Sequence, residues 1–179
     1  QSPEGQTRLL PINGLICLIA DATSTPAAKA FWQHTGLGAS SRLAAIALGE
    51  DTASSESAGD AARSRVIQRL ERIYGCDVDA VSLHPSGMTA LHRALQLVSA
   101  LRPSRPVLQI GFPYVDVLKL PQVVFSGAEL LLDDSEAEVN GALERLQPSA
   151  VVVELPSNPL LRCVDLPTVA RLAHQQGIP

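Results

Sequence analysis

A chain of 179 residues that is 46% hydrophobic and 18% charged has the apolar content of a globular domain with a real core, which excludes a disordered tail. A net charge of −4 argues against a nucleic-acid partner, because such a partner selects a basic face. Cys17, Cys76 and Cys163 are the three cysteines, too scattered for a disulfide framework or a zinc site, and they are expected as buried thiols in a reducing, cytoplasmic setting. Twelve of the 14 basic residues are arginines, leaving only Lys29 and Lys119 as lysines. The chain opens on Gln1 and closes on Ile178-Pro179 straight after a helical pattern, so both ends read as cut.

The apolar run 14–20 (GLICLIA) is too short to span a bilayer and is expected as a buried strand, with no membrane partner. Thr25-Pro26 opens a helix through Lys29 and Phe31, because proline at a first helical turn forfeits no needed N–H. Gly36 and Gly38 end it. Residues 50–60 (EDTASSESAGD) are small, polar and acidic and read as a loop. A helix follows over 61–74, with Val66, Leu70 and Ile73 on one face and Arg63, Arg65, Arg69 and Arg72 mostly on a solvated one.

From residue 80 the pattern alternates. Residues 80–83 are strand-like. The stretch 87–101 is helical with Leu91, Leu95 and Val98 inward, and 106–110 is a strand. Tyr114 to Leu120 is a short helix or turn, and Glu129 to Leu132 is a strand. Asp134 or Ser135 caps the next helix, where Ser135 and Glu138 fit a capping box, and Val139, Leu143 and Leu146 face the core. Residues 150–154 (AVVVE) form an apolar strand ending in an acid. Pro167 opens the last helix, carrying Val169, Leu172 and Ala173. Such alternation predicts an α/β fold with a mostly parallel sheet and helices on both faces. The division expected is an N-terminal segment, 1–58, followed by the first part of a larger domain, 59–179. In parallel sheets ligands bind beyond the carboxyl ends of the strands, so residues there gain weight.

Three features fall at that edge. Ser86-Gly87-Met88 opens the helix at 87–101. A helix start offers free N–H groups and partial positive charge, so it is either a phosphate cradle or simply an N-cap. Glu154-Leu155-Pro156-Ser157-Asn158-Pro159 follows the most apolar strand. Its prolines stiffen a loop that presents Asn158 as an amide donor, or they make an ordinary proline-rich turn. Phe112-Pro113-Tyr114 follows the strand at 106–110, and the Tyr114 ring can stack on a planar ligand or pack in the turn. Phosphate cradle, amide donor and ring stacker together suit a phosphorylated aromatic cofactor.

These residues resemble a known family. SGMTAL (86–91), PYVDVLKL (113–120) and, most specifically, VVVELPSNPLLRCVDLPTVARLA (151–173) look like the cofactor domain of cystathionine γ-synthase and its relatives, which are pyridoxal 5′-phosphate enzymes. Leu155 stands where the family usually has Ser. FWQHTGLGASSRLA (31–44) resembles the N-terminal part of the fungal-type branch. The resemblance implies the aspartate aminotransferase-like fold, type I. It implies that Gly87 and Met88 give backbone N–H groups to the cofactor phosphate with Ser86 beside them. Tyr114 would stack on the pyridine ring and assist catalysis, Asn158 would bond the ring's phenolic oxygen, and Glu154 would support the site. Relatives commonly supply a Tyr-x-Arg pair to the phosphate from the adjacent subunit; no such pair occurs here, and Arg42 is the candidate for that part.

The family continues with an Asp-bearing strand and a Ser-x-Thr-Lys run whose Lys holds the cofactor. Neither occurs in these 179 residues, and neither Lys29 nor Lys119 lies in a matching context. The resemblance therefore implies a fragment, inactive alone, of an enzyme that replaces the γ-substituent of an activated homoserine with cysteine or another thiol. A lyase or sulfhydrylase of the same family, or a non-catalytic remnant, is the alternative. Amino-acid substrates and a homo-oligomer of dimers or tetramers are implied for the complete protein. An unrelated nucleotide-binding domain finds only Gly36-Leu37-Gly38 for its phosphate turn, without a strand before it. His34 and Trp32 are expected to pack, and His84 to be satisfied by backbone.

Overall fold

A computed structural model describes residues 6–50 and 56–179. The chain forms two compact units. The first comprises the described residues up to Lys29 together with Leu37–Ser86, and the second Ala30–Gly36 with Gly87–Pro179.

In the first unit β1 (Thr7–Ile12) and β2 (Leu15–Ala20) pair antiparallel, with Thr7 opposite Ala20 and Ile12 opposite Leu15. The turn between them is Asn13-Gly14, with φ of 48° and 81°. Left-handed backbone at both positions matches the twist of a two-residue hairpin, and Asn-Gly adopts it at the least steric cost. That dipeptide is a signal the sequence reading passed over. The expectation of a buried strand at 14–20 is corrected: Ile16, Leu18 and Ile19, like Leu9, Leu10 and Ile12 opposite, are exposed, because the ribbon lies open rather than between layers. Asp21 closes its base by accepting from the Gln6 and Ser24 N–H groups at 2.8 and 2.7 Å. Those backbone donors hold the Asp21 carboxyl below its usual pKa.

Helix α1 (Thr25–Thr35) starts where the Thr-Pro pair placed it. Helix α2 (Ser41–Leu48) was not foreseen, although Ser40 accepts from the Leu43 N–H at 3.1 Å and Gly49 ends it at φ 77°, a serine N-cap and glycine stop. Helix α3 (Glu56–Tyr74) begins inside the stretch read as a loop, since a helix once formed gains one bond for each residue added. Residues 51–55 of that loop lie outside the described residues. The α3 arginines are solvated as expected, but Val66 and Ile73 are exposed too, so its apolar stripe is not buried. The stretch read as a strand at 80–83 is corrected as well. A single 3₁₀ turn, Val78–Ala80, precedes an unpaired extended segment, because a strand exists only where a neighbour takes its backbone hydrogen bonds. Of the thiols, Cys17 and Cys76 are half-buried and Cys163 is exposed, so none is fully buried as expected.

The second unit runs α4 (Gly87–Leu101), β3 (Val107–Ile110), α5 (Val115–Val124), β4 (Ala128–Leu131), α6 (Glu136–Leu146), β5 (Ala150–Val153) and α7 (Leu166–Gln175). Its three strands are all parallel in the order β4-β3-β5, with Val107 opposite both Ala128 and Ala150. The predicted parallel α/β arrangement is therefore present. Side chains alternate across the central strand as its period of two demands. Leu108 and Ile110 pack with Val139 and Leu143 of α6 and Val169 and Leu172 of α7. Val107 packs with Leu95 of α4 and Leu120 of α5. Helices therefore cover both faces, and each fully buried Leu or Val contributes about 1.5–3 kcal/mol.

Helix α5 outruns the reading that stopped it at Leu120, passing through Pro121. Proline has no N–H, so the Val117 carbonyl one turn earlier loses its helical donor. The buried Gln109 side chain of β3 replaces it, Nε2 donating to the Val117 carbonyl at 2.8 Å. Ser135 does stand at the α6 N-cap, but its side chain makes no cap bond. The expected capping box is replaced by the Ser135 N–H donating to Asp133 at 2.9 Å.

Candidate functional site

Strands β3 and β5 run side by side in one direction, so their carboxyl ends deliver Gly111 to Tyr114 and Glu154 onward to the same edge. Gly111 takes φ of 88° and sits so close to the loop after β5 that a Cβ would stand 3.1 Å from Val164 Cγ2. Only glycine suits both constraints. Tyr114 is the N-cap residue of α5, and no side chain of its own caps that helix. Its N–H donates instead to Glu154 Oε2 at 2.6 Å, a charge-assisted bond from one strand end to the next. Tyr114 is 42% exposed, so its ring is free to meet a ligand.

Hydrogen bonding to Asp116, two residues on, and then that carboxylate's charge raise the Tyr114 phenol above its ordinary pKa of 10. Asp116 itself meets His34, Nδ1 to Oδ1 at 3.0 Å. His34 is buried, as a packing residue is expected to be, and carries the Asp116 bond besides, while its neighbour Trp32 is exposed rather than packed. The Thr89 hydroxyl, in the first turn of α4, donates to the Gly36 carbonyl just beyond α1 at 3.0 Å.

The loop after β5 is organised by a residue the sequence reading left unassigned. Ser157 is buried; its N–H donates to the Arg162 carbonyl at 2.9 Å, and its Oγ accepts from the Arg162 N–H at 3.0 Å. A serine between two prolines signals such a closure. The Leu155–Pro156 and Asn158–Pro159 peptides are cis, and Asn158 stands exposed between them. Gly111, Phe112, Asp134, Glu154, Ser157 and Arg162 line a small crevice at this edge.

The structure thus joins Tyr114 to Glu154 directly and places Asn158 on the loop that Glu154 begins. Gly87 opens α4 with open space where a Cβ would stand, and the first amides of a helix have no intrahelical acceptor, so an anion can reach the backbone there. Met88 packs against the Leu95–Val107–Leu120 core. Ser86 and Arg42 belong to the first unit and are exposed. His84 bonds the Ser82 hydroxyl at 3.0 Å, a side chain rather than the backbone expected. Helix-start amides are the donors an anionic tail takes, and an exposed ring and carboxamide are groups a flat ligand takes. Lys29 and Lys119 are both exposed, on α1 and α5, and no lysine stands at the β3–β5 edge among the described residues.

Sequence comparison finds relatives of this chain. A dechlorinase/desaturase acting on L-2-amino-4-chloropent-4-enoate from Streptantibioticus cattleyicolor is 32% identical over 176 residues, which is 88% of this chain and 34% of that protein. Cystathionine γ-synthase of Neurospora crassa is 36% identical over 105 residues, 53% of this chain and 17% of that enzyme. The cystathionine γ-synthase-like enzyme iboG2 of Amanita muscaria is 35% identical over 106 residues, again 53% of this chain and 17% of the relative. The chain is a homologue of the cystathionine γ-synthase-like enzymes. These are pyridoxal-phosphate enzymes, and the chain spans about a third of the length of the first of these relatives and about a sixth of the other two. No protein-family model and no solved structure matches it. Among the described residues no helix is long and apolar enough to cross a membrane, and no cluster of His, Cys, Asp and Glu is fit to hold a metal.

Proposed function

We propose that this chain forms the ring- and phosphate-binding part of a fold-type-I pyridoxal-phosphate enzyme of cystathionine γ-synthase type. The complete protein replaces the γ-substituent of an activated homoserine with cysteine or another thiol, acting as a homo-oligomer on small amino-acid substrates. The observation that carries the reading is the bond from the Tyr114 N–H to Glu154, which fixes an exposed aromatic ring at the carboxyl edge of a parallel sheet.

In this reading Gly87 and Met88 bind the phosphate through their amides, Ser86 adds a hydroxyl, and Arg42 gives a guanidinium suited to a phosphate's geometry. Tyr114 stacks on the ring. Asn158 donates its amide to the ring oxygen, and Glu154 holds the tyrosine in register. When bound, pyridoxal phosphate supplies an electron sink for the carbanion next to an amino acid's α-carbon. The Tyr114 phenol, with its proton retained by Asp116, offers an O–H at that place. The 179 residues contain no lysine in a matching context, so by themselves they bind without turning over.

A second reading, elimination at the γ-carbon by a lyase of the same family, is favoured by the breadth of the dechlorinase/desaturase alignment over this chain. Both readings need the same site. Titrating the chain with pyridoxal 5′-phosphate and following Trp32 fluorescence tests it: saturable quenching weakened by Tyr114→Ala and by Asn158→Ala supports the site, and quenching unchanged by both sinks it.

A further inference from the structure

We infer that the last turn of α1 is a clasp that holds the starts of α4 and α5 at a fixed separation, with His34 and Thr89 as its positioning residues. It deepens the proposed function and rests on that reading, which puts the phosphate at the α4 start and the ring at the α5 start.

A pair of hydrogen bonds makes the clasp, at residues two apart in the chain. His34 is 6% exposed, and its Nδ1 lies 3.0 Å from Asp116 Oδ1. An ionised carboxylate only accepts, so Nδ1 carries the proton. Asp116 belongs to the first turn of α5, and its side chain is 16% exposed. Just beyond His34, Gly36 takes φ of 64°, and its N–H donates to the Trp32 carbonyl at 3.2 Å. Glycine in that left-handed conformation turns the chain out of the helix without a Cβ clash. The Gly36 carbonyl then accepts from the Thr89 hydroxyl at 3.0 Å. Thr89 is buried in the first turn of α4. One turn away on α1 and on α4, the rings of Phe31 and His92 meet edge to face at 6.1 Å.

The helix starts joined in this way are the two that carry the candidate ligand groups. Gly87 lies two residues before Thr89, and Tyr114 two residues before Asp116. The clasp sets the distance between those starts and leaves their free groups to the ligand. A ligand that reaches both starts gains from a distance set beforehand, because the cost of ordering them is met in folding rather than in binding. A ligand that reaches only one start gains nothing from it. His34 is 82 residues from Asp116 and Gly36 is 53 from Thr89, so only the folded unit closes the clasp.

The test has two arms, both on the 179-residue chain. The first reads amide hydrogen exchange by mass spectrometry without ligand. His34→Ala and Thr89→Val should each speed exchange about tenfold at 90–93 and at 118–120, because each leaves the α1 turn held on one side only. Helices α6 and α7 should keep the parent rate. His34→Asn, whose amide N–H takes the place of Nδ1, should restore it at both starts. Exchange unchanged at the two starts, confined to one of them, or raised evenly through the unit overturns the clasp. The second arm measures calorimetric affinities for pyridoxine 5′-phosphate, which reaches both starts, and for pyridoxine and inorganic phosphate, which reach one each. Pyridoxine has no aldehyde, so no lysine adduct intrudes. His34→Ala should weaken pyridoxine 5′-phosphate about tenfold and leave the other two unchanged. An equal loss for all three overturns the clasp. Exchange that responds as stated, in a parent chain that binds none of the three, leaves the clasp standing and removes the proposed function instead.

Discussion

Glu154, the first residue past β5, accepts the Tyr114 backbone N–H at 2.6 Å from across the neighbouring strand end. One carboxylate thereby caps α5 and ties the two loops that carry the candidate ring stacker and amide donor. Hydrogen bonds to charged groups contribute about 1.5–3 kcal/mol, and leaving the donor unmade adds a desolvation cost only where water cannot reach it. Glu154→Ala should therefore destabilise the chain by about 1–2 kcal/mol in urea unfolding. Glu154→Gln, which keeps a neutral acceptor, should lose less than half of that. Equal losses in the two variants count against the bond.

Gln109 and Pro121 are coupled through the Val117 carbonyl. With proline at 121 the carbonyl depends on Gln109, so Gln109→Leu should cost about 1–3 kcal/mol for the acceptor left buried. In a Pro121→Ala background the helix supplies its own N–H to that carbonyl, and the same substitution should cost clearly less. A double-mutant cycle by chemical denaturation reads the coupling directly, and additive effects dismiss it. The spare oxygen of Gln109, Oε1, has no partner, which limits what the glutamine itself loses.

His92 is buried in α4 between Phe31 and Phe125, with ring centroids 6.1 and 5.6 Å away, and its Nδ1 lacks a partner. Burial first, and the charge of Arg93 second, push its pKa below 6.5. The unfolded chain therefore takes up the proton at a higher pH than the folded one. Stability is full above the unfolded value of about 6.5 and falls as pH drops toward the folded pKa. Thermal midpoints followed from neutral pH downward should show this decline, and His92→Leu should flatten it. An unaltered slope in that variant assigns the acid sensitivity elsewhere.

In the proposed function neither Lys29 nor Lys119 captures a cofactor carbonyl. Borohydride reduction of the chain with pyridoxal phosphate, followed by peptide mass mapping, should leave Lys29 and Lys119 without stoichiometric pyridoxyl label. Full labelling of either one contradicts the site geometry proposed here.

Much of the second unit is legible in the sequence. The period of 3.6 in 87–101 and 166–175, the mostly apolar tetrad at 107–110 and the apolar one at 150–153 mark those helices and strands. Chain direction then puts Tyr114 and Glu154 at strand ends. Less of the first unit is legible. Val66 and Ile73 have helical spacing yet remain in solvent, and 80–83 has strand composition yet no ladder. In both places the local pattern is right for an element, and the partner that would bury or pair it is not part of the pattern.

The sequence by itself determined the parallel α/β alternation, the loops that carry the candidate site and the family resemblance, because periodicity and short motifs are written in neighbouring residues. Tertiary structure alone decided that Gln109 serves Val117, that Glu154 caps Tyr114 and that His34 meets Asp116. The last two bridge separations of 40 and 82 residues. A hydrogen bond is specified by where two groups stand in space, and for distant residues that position exists only after the strands have chosen their neighbours.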